Sequence, residues 1–497
     1  MDKSILIIGG GLTGLSAGCY GRMNGYRTTI VEMHSIAGGV CTAWKRKGYT
    51  IDGAMNWLMG TNPESGGYRV WEELGAAPGW KVHNHEINTT FENRQGKAFT
   101  VYCDADRFEQ YLLELAPEDA AVIKELTGMI RYPDLDFPAG KPDELQTIFD
   151  KLAMLKMFPV YRLMRRLRNQ TAYTFAQRFR NPFVREMFGV ALGGDFPLAM
   201  ALMQLAMQHR KLAGYVLGGA LALVKPIEKR YRSLGGELQF NARVQKILVE
   251  NHRAVGIRLA DGTEHRADWV VSTADGRTTI FDMLEGKYLD EELKRRYENP
   301  NLFAPLVYVA LGVNRKFDDV PPSIGGTAYP LDRPVVVAGK ENPILNLRVY
   351  SFDPSLAPPG KNVAVVQYET NWDYWHKLRQ DPQAYREEKE RICEQVIDGL
   401  EQRFPGIGAQ IEMRDVATPV TWERYTGNWR GAYEGWMFDE SSFAKGMKKT
   451  LPGLEGFYMA GQWVNPGGGM PTAVISGNQT IQLICRKDKK KFVAAKP

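Results

Sequence analysis

The residues with the plainest chemical meaning stand at the N-terminus. Gly9-Gly10-Gly11-Leu12-Thr13-Gly14 follows directly on the apolar run Ser4-Ile5-Leu6-Ile7-Ile8, and Glu32 closes a second run, Thr28-Thr29-Ile30-Val31, eighteen residues past Gly14. That spacing suits a dinucleotide. Gly9 permits a tight turn, Gly11 lets the backbone approach a pyrophosphate, Gly14 lets a helix pack on a strand, and amides at the helix start face the phosphate charge. Glu32 can accept hydrogen bonds from both ribose hydroxyls, and its charge disfavours a 2′-phosphate. Between these points Leu12, Leu15, Ser16, Cys19, Tyr20 and Met23 recur at helical spacing, so strand, turn, helix, strand and acid fall in the order such a site requires.

By itself the turn leaves NAD and FAD open. Ala37-Gly38-Gly39, just beyond Glu32, offers either an ordinary loop or a second close approach of backbone to a longer, bent-in dinucleotide. The far end of the chain decides for FAD. Gly456-Phe457-Tyr458-Met459-Ala460-Gly461-Gln462 reads as a short strand, followed by Asn465-Pro466-Gly467-Gly468-Gly469-Met470-Pro471-Thr472 and a helix predicted from Ala473 to about Cys485. A glycine loop opening a helix presents N–H groups to something that is, or becomes, anionic, such as the N1–C2 edge of a flavin on reduction.

These residues need elements to position them, and the chain has enough mass to supply them. Its 497 residues, 44% apolar and 24% charged, exceed one compact unit, so two domains are expected. No stretch approaches a membrane-spanning helix, and the first strand begins almost at Met1, which points to a cytoplasmic protein. The five cysteines are scattered without metal-ligand spacing, so free thiols and no metal are expected. A net charge of +6 is mild and partly concentrated in the tail from Arg486 to Lys491, read as a solvated end; nucleic-acid binding is not indicated.

The Gly9–Gly14 turn, Gly38-Gly39, the stretch from Trp44 to Leu58 and Pro466-Gly467-Gly468-Gly469-Met470-Pro471 together resemble the phytoene desaturase family, which includes carotenoid isomerases and retinol saturases. The resemblance covers the whole chain. It extends to Leu234–Val244, where the family residue matching Val244 touches adenine through its backbone, and to Thr418-Pro419 with Arg424–Asn428. It implies an α/β fold: a Rossmann-like FAD-binding domain interleaved with a mixed-sheet plus helical substrate domain, as in amine oxidases. The FAD-binding domain is expected from 1–70, 211–285 and 450–487. The substrate domain takes 71–210 and 286–449, with its helical part at 105–210, leaving 488–497 as a basic tail.

The cofactor is expected to touch Gly9, Gly11, Leu12, Thr13, Gly14, Glu32, Met33, Gly38, Gly39 and Val40 at one end. Asn56, Trp57, Arg243, Val244, Thr273, Ala274, Gly461, Gln462, Gly469, Met470 and Pro471 complete the set. Asn56, Trp57 and Trp463 are the candidates at the flavin face. Two positions depart from the family: Asn56 replaces a frequent histidine, and Val40 replaces an arginine common after the glycine pair. With no titratable group at Asn56, no strong base is expected at the flavin face, the proton moving through carbocation-like charge stabilised by aromatic faces or through a distant group.

The implied activity is desaturation, saturation or isomerisation of a carbon–carbon bond in a hydrophobic polyene or isoprenoid. An amine oxidase of the same wider fold and a non-catalytic prenyl-binding escort are the alternatives. Lys151–Arg168 mixes large apolar residues with bases, so it suits either a core-packing helix or a peripheral contact with an anionic membrane. Methionines 200, 203 and 207 read as core or as a soft apolar wall.

Overall fold

A computed structural model describes residues 2–132, 140–153, 158–437 and 447–497. The continuous apolar runs become one parallel sheet, ordered Glu237–Gln239, Arg27–Val31, Ser4–Ile8, Trp269–Ser272, Phe457–Met459. Such runs are apolar at every position because both faces of the sheet are covered. Ile5, Ile7, Ile30 and Val271 pack with helices Leu12–Met23, Gly219–Ser233 and Met470–Lys487. Leu6, Ile8, Val31 and Val270 point the other way, toward Val244, Ile247 and Ile257 of the antiparallel sheet Val244–Glu250, Arg253–Leu259, Glu264–Arg266. Residues far apart in sequence thus meet at the carboxyl ends of adjacent strands, where open α/β sheets hold ligands.

The second sheet has seven strands, in the order Ile411–Ala417, Leu306–Val313, Asn362–Glu369, Lys340–Val349, Thr327–Val337, Ile87–Glu92, Ala98–Tyr102. Helix Pro382–Arg403 covers it, placing Ile392, Cys393, Val396 and Leu400 on Val309, Leu311 and Val366. Two of its strands escape the sequence reading for physical reasons. Thr327–Val337 carries Pro330 and Pro334, and its pairing slips between Pro330 and Val335, as prolines confined to a bulge require. Ile411–Ala417 is an edge strand whose Glu412 and Arg414 face solvent. Helices Ala105–Leu115, Ala120–Ile130, Pro182–Ala191 and Leu198–His209 form a separate apolar cluster around Phe108, Ile123, Phe188 and Leu202.

Helices Ile148–Ala153 and Phe158–Leu167 occupy the expected basic-apolar stretch, of which 154–157 lie outside the described residues. Ile148, Phe149, Leu152 and Phe158 are exposed there. The last helix starts at Met470 rather than Ala473, because Pro471 falls in its first turn, where a missing N–H costs nothing. The basic residues of the tail, Arg486, Lys487, Lys489, Lys490 and Lys491, are exposed, yet the tail is docked by the residues among and beyond them. Asp488 accepts hydrogen bonds from the Tyr26 hydroxyl and the Trp269 indole, Asn24 and Val493 exchange two bonds, Phe492 packs on Tyr20, and Lys496 pairs with Glu72. Among the described residues no helix is long and apolar enough to cross a membrane. No group of side chains there could hold a metal ion, and all five cysteines are free and buried.

Candidate functional site

Where the first strand ends, backbone contact replaces side chains. A Cβ on Gly14 would lie 1.9 Å from the Gly9 carbonyl oxygen, so only glycine lets helix Leu12–Met23 begin this close to the turn. Gly38 N donates to Gly10 O at 2.9 Å, and a Cβ on Gly39 would meet Gly11 Cα at 3.2 Å, so the second glycine pair lies directly on the first turn. Gly11 itself is open on its side-chain face, the nearest atom being 3.8 Å from a would-be Cβ. The Thr273 hydroxyl donates to Ile8 O at 2.9 Å and Gly9 O at 3.0 Å, which fixes the turn from the neighbouring strand. Glu32 is buried; its Oε2 accepts from Gly10 N at 2.6 Å and its Oε1 from His34 N at 2.8 Å. A carboxylate oxygen has a second lone pair, so both remain able to accept from a ribose.

From this turn a cavity of about 420 Å³ runs without interruption to the second sheet. Gly9, Gly11, Leu12, Thr13, Glu32, Met33, Gly38, Gly39 and Val40 line its first part. Arg243, Val244, Thr273 and Ala274 join from the flanking strands, and Gly461, Gln462, Gly469, Met470 and Pro471 from the C-terminal loop. Gly14 is not on the wall; its place is the packing contact behind it. Gly461, at φ +95°, would press a Cβ within 3.0 Å of the Thr13 hydroxyl, and its N–H donates to Ser476 Oγ at 2.8 Å. The far part of the cavity is walled by Asn56, Trp57, Leu306, Tyr308, Gln367, Trp422 and Tyr433.

That far wall is aromatic and braced. Trp44 packs edge-on against Trp422 at 5.8 Å and Tyr308 lies 6.2 Å from Trp422, so the rings hold one another. The Tyr308 hydroxyl donates to the Asp52 carbonyl, joining the seven-stranded sheet to the segment that carries Asn56. Met203 and Met207 pack with Trp57 and Met59 behind the wall, so part of the methionine stripe backs the cavity. Trp463 also borders the cavity, but its ring turns into a cluster with Trp436 at 5.7 Å and Trp429 at 6.4 Å, and its indole N–H donates to Asn428 at 3.2 Å. His83 and His85 pack on Phe352 and are not among the lining residues.

Four lining residues bear charge: Glu32, Arg243, Asp275 and Glu434; none is lysine or histidine. Asp275 accepts from Thr278 N at 2.7 Å and from Trp429 N at 2.9 Å, tying the loop before Gly431 to the parallel sheet. Burial outweighs those bonds and pushes its carboxyl up to about 6. Glu434 differs. Burial alone pushes it up to about 7, and it has no hydrogen-bond or ion-pair partner among the described residues. Glu434 is thus a lining carboxyl far in sequence from position 56, with no bond to the fold among the described residues. A lone Glu between Tyr433 and Gly435 carries no spacing signal, since only the fold brings it to Gly468. Asp275, Tyr308 and Gln367 were missed for the same reason.

Comparison with known proteins agrees with this architecture. The family model of flavin containing amine oxidoreductases matches residues 12–485. The chain is 26% identical over 493 residues to a prolycopene isomerase of Daucus carota, covering 96% of this chain and 79% of that protein. It is 25% identical over 500 residues to a neurosporene-forming phytoene desaturase of Cereibacter sphaeroides, covering 96% and 94%. Among solved structures, an oxidoreductase from Methanosarcina mazei matches with a TM-score of 0.60 at 18% identity, over 96% of this chain and 100% of that one. Cyclohexylamine oxidase from Brevibacterium oxydans IH-35A matches at 0.58 and 16%, over 99% and 100%, a likeness of fold. The chain belongs to the flavin-containing amine oxidoreductase family, and its relatives include carotenoid desaturases and isomerases.

Proposed function

We propose that the protein is an FAD-dependent oxidoreductase acting on carbon–carbon bonds of a hydrophobic polyene or isoprenoid, by desaturation, saturation or isomerisation. The observation that carries this reading is the single cavity that joins the glycine turn beside Glu32 to the aromatic chamber of Trp57, Tyr308, Trp422 and Tyr433. The family supplies the flavin, and the glycine turn with a buried acid after the second strand fits an adenosine diphosphate half. Flavin with that half is FAD.

In this reading Gly11, Gly39 and the amides opening helix Leu12–Met23 hold the pyrophosphate, and Glu32 holds the ribose. The Gly461–Pro471 loop carries the other end. When bound, the flavin supplies a two-electron acceptor or donor. The chain's own part is to orient the substrate between aromatic faces and to exclude water. Denaturing the purified yellow protein is expected to release FAD, identified by mass; release of FMN, or a colourless protein, contradicts the reading.

The partner is then a lipid-soluble small molecule, which is reached most directly from a bilayer. Exposed Ile148, Phe149, Leu152 and Phe158, with exposed Arg162, Arg165 and Arg168 nearby, support a peripheral contact with anionic lipid. Co-sedimentation with phosphatidylglycerol vesicles, lost in Phe149→Ser/Phe158→Ser, is the expected outcome. Equal sedimentation of this variant and the parent removes the assignment.

A further inference from the structure

We propose that Glu434 is a catalytic residue that carries the proton of the carbon–carbon chemistry, an inference that rests on the polyene or isoprenoid reading above. Glu434 lines the cavity, and the chain is held at the two residues that follow it. Gly467 N donates to Trp436 O at 2.8 Å and Phe303 N to Gly435 O at 3.1 Å. A Cβ on Gly468 would lie 2.6 Å from Glu434 O, so the glycine loop next to the last helix lies directly on residue 434. Glu434 therefore lines the cavity beside Tyr433, next to the loop that leads from Gly461 to Met470.

Every other buried carboxyl around the cavity already has a task. Glu32 accepts from Gly10 N and His34 N; Asp52 from Ala54 N, Met55 N and Ala220 N; Asp275 from Thr278 N and Trp429 N. Glu434 has no such bond among the described residues and is partly open to the cavity it lines, so its carboxyl is not committed to holding the fold. The groups around Glu434 are uncharged: Gly468 and Gln462 on the loop, Met470 at the helix start, Tyr433 on its own segment. Tyr433 is the titratable neighbour, held above its ordinary range by burial and by the fields of Glu434 and Glu369. No charge assists Glu434, and burial alone sets its affinity for a proton near neutrality, where acid and base forms coexist.

In the desaturating direction one C–H bond gives up its electron pair to oxidised flavin together with its proton, as hydride. The C–H bond on the adjacent carbon then breaks, its pair forms the new double bond, and its proton passes to the Glu434 carboxylate. In the saturating direction the neutral carboxyl would give its proton to one carbon of the double bond while hydride from reduced flavin would complete the other; in isomerisation the carboxylate would take the same proton back after rotation about the former double bond. The pH profile distinguishes these directions: a rate that rises through about 7 belongs to the base and one that falls belongs to the acid.

The test uses the flavin-loaded protein and its E434Q and E434D variants. Infrared titration of the parent is expected to show a protonated carboxyl band with a midpoint near 7 that E434Q lacks, whatever the substrate. Flavin reduction or product formation with a substrate that the parent accepts is expected to fall about 100-fold in E434Q and lose its inflection near neutrality, at unchanged substrate affinity. E434D should recover part of the rate and the inflection. Parent-like rates and pH profile in E434Q overturn the inference while leaving the substrate reading intact. A parent whose flavin responds to amines and to no hydrocarbon overturns the substrate reading, and this inference with it, before any variant is compared.

Discussion

The two ends of the cavity are built on opposite principles. At the nucleotide end the wall is backbone, side chains are reduced to hydrogen where a ligand must approach, and each polar atom of Glu32 is held. At the chamber end the wall is aromatic, the rings brace one another, and Glu434 has no partner among the described residues. Binding a charged, invariant cofactor requires fixed dipoles at fixed places. Chemistry on an apolar substrate requires a water-poor space with one group able to exchange a proton. Loss of either end should therefore look different.

The largest effect is expected at the turn. Gly14→Ala forces a methyl against the Gly9 carbonyl, and a cost at or beyond the upper end of ~1–3 kcal/mol is expected, with loss of flavin, read by thermal denaturation and absorbance. Gly11→Ala puts its methyl into the open cavity instead. Its melting without cofactor should match the parent's, while flavin affinity falls at least ~10-fold, about 1.4 kcal/mol. Equal behaviour of the two variants would erase the distinction between packing glycine and binding glycine.

The two buried acids come next. Asp275→Ala removes the acceptor of two backbone amides and should cost ~1–3 kcal/mol, seen in urea denaturation. Glu434→Gln should do the reverse at alkaline pH. The native protein holds the Glu434 proton to about 7 where the unfolded chain releases it near 4.5, so stability falls as pH rises between those values. The share due to this group is on the order of 3 kcal/mol and is complete above pH 7. The parent-minus-variant stability difference should therefore slope between about pH 4.5 and 7 and level off above; a flat difference contradicts the placement of an unpartnered acid.

The smallest effect is expected at Asn56, which lines the cavity yet forms no side-chain hydrogen bond among the described residues. Asn56→Ala and Asn56→His should keep turnover within about threefold, since proton transfer in general acid–base catalysis is worth ~100-fold or more only for the group that performs it. Abolition by both substitutions would move the chemistry from Glu434 to Asn56.

The two ends also differ in how far they can be read from sequence. The nucleotide end is a local object: Gly9, Gly11, Gly14 and Glu32 sit within one strand-turn-helix-strand unit, and each has a residue-type requirement set by geometry. The C-terminal glycine loop is legible for the same reason. The chamber is assembled from Tyr308, Gln367, Trp422 and Glu434, on separate elements whose approach depends on a seven-stranded sheet, two of whose strands hide behind prolines or edge charges. Tyr, Gln, Trp and Glu at those positions have no distinctive spacing, so their meeting cannot be inferred before the fold is known. The docked tail is a similar case: its exposed basic run reads as a solvated end, while the contacts of Asp488, Val493 and Lys496 with Tyr26, Asn24 and Glu72 appear only in the fold.

The most direct test of one cavity with a flavin cradle at one end and a hydrocarbon chamber at the other is anaerobic mixing of the flavin-loaded protein with saturated isoprenoids, polyenes and amines. The flavin absorbance should bleach with an isoprenoid or partly saturated polyene, or the reduced protein should regain its colour with a more unsaturated one. Bleaching by amines alone would contradict the assignment.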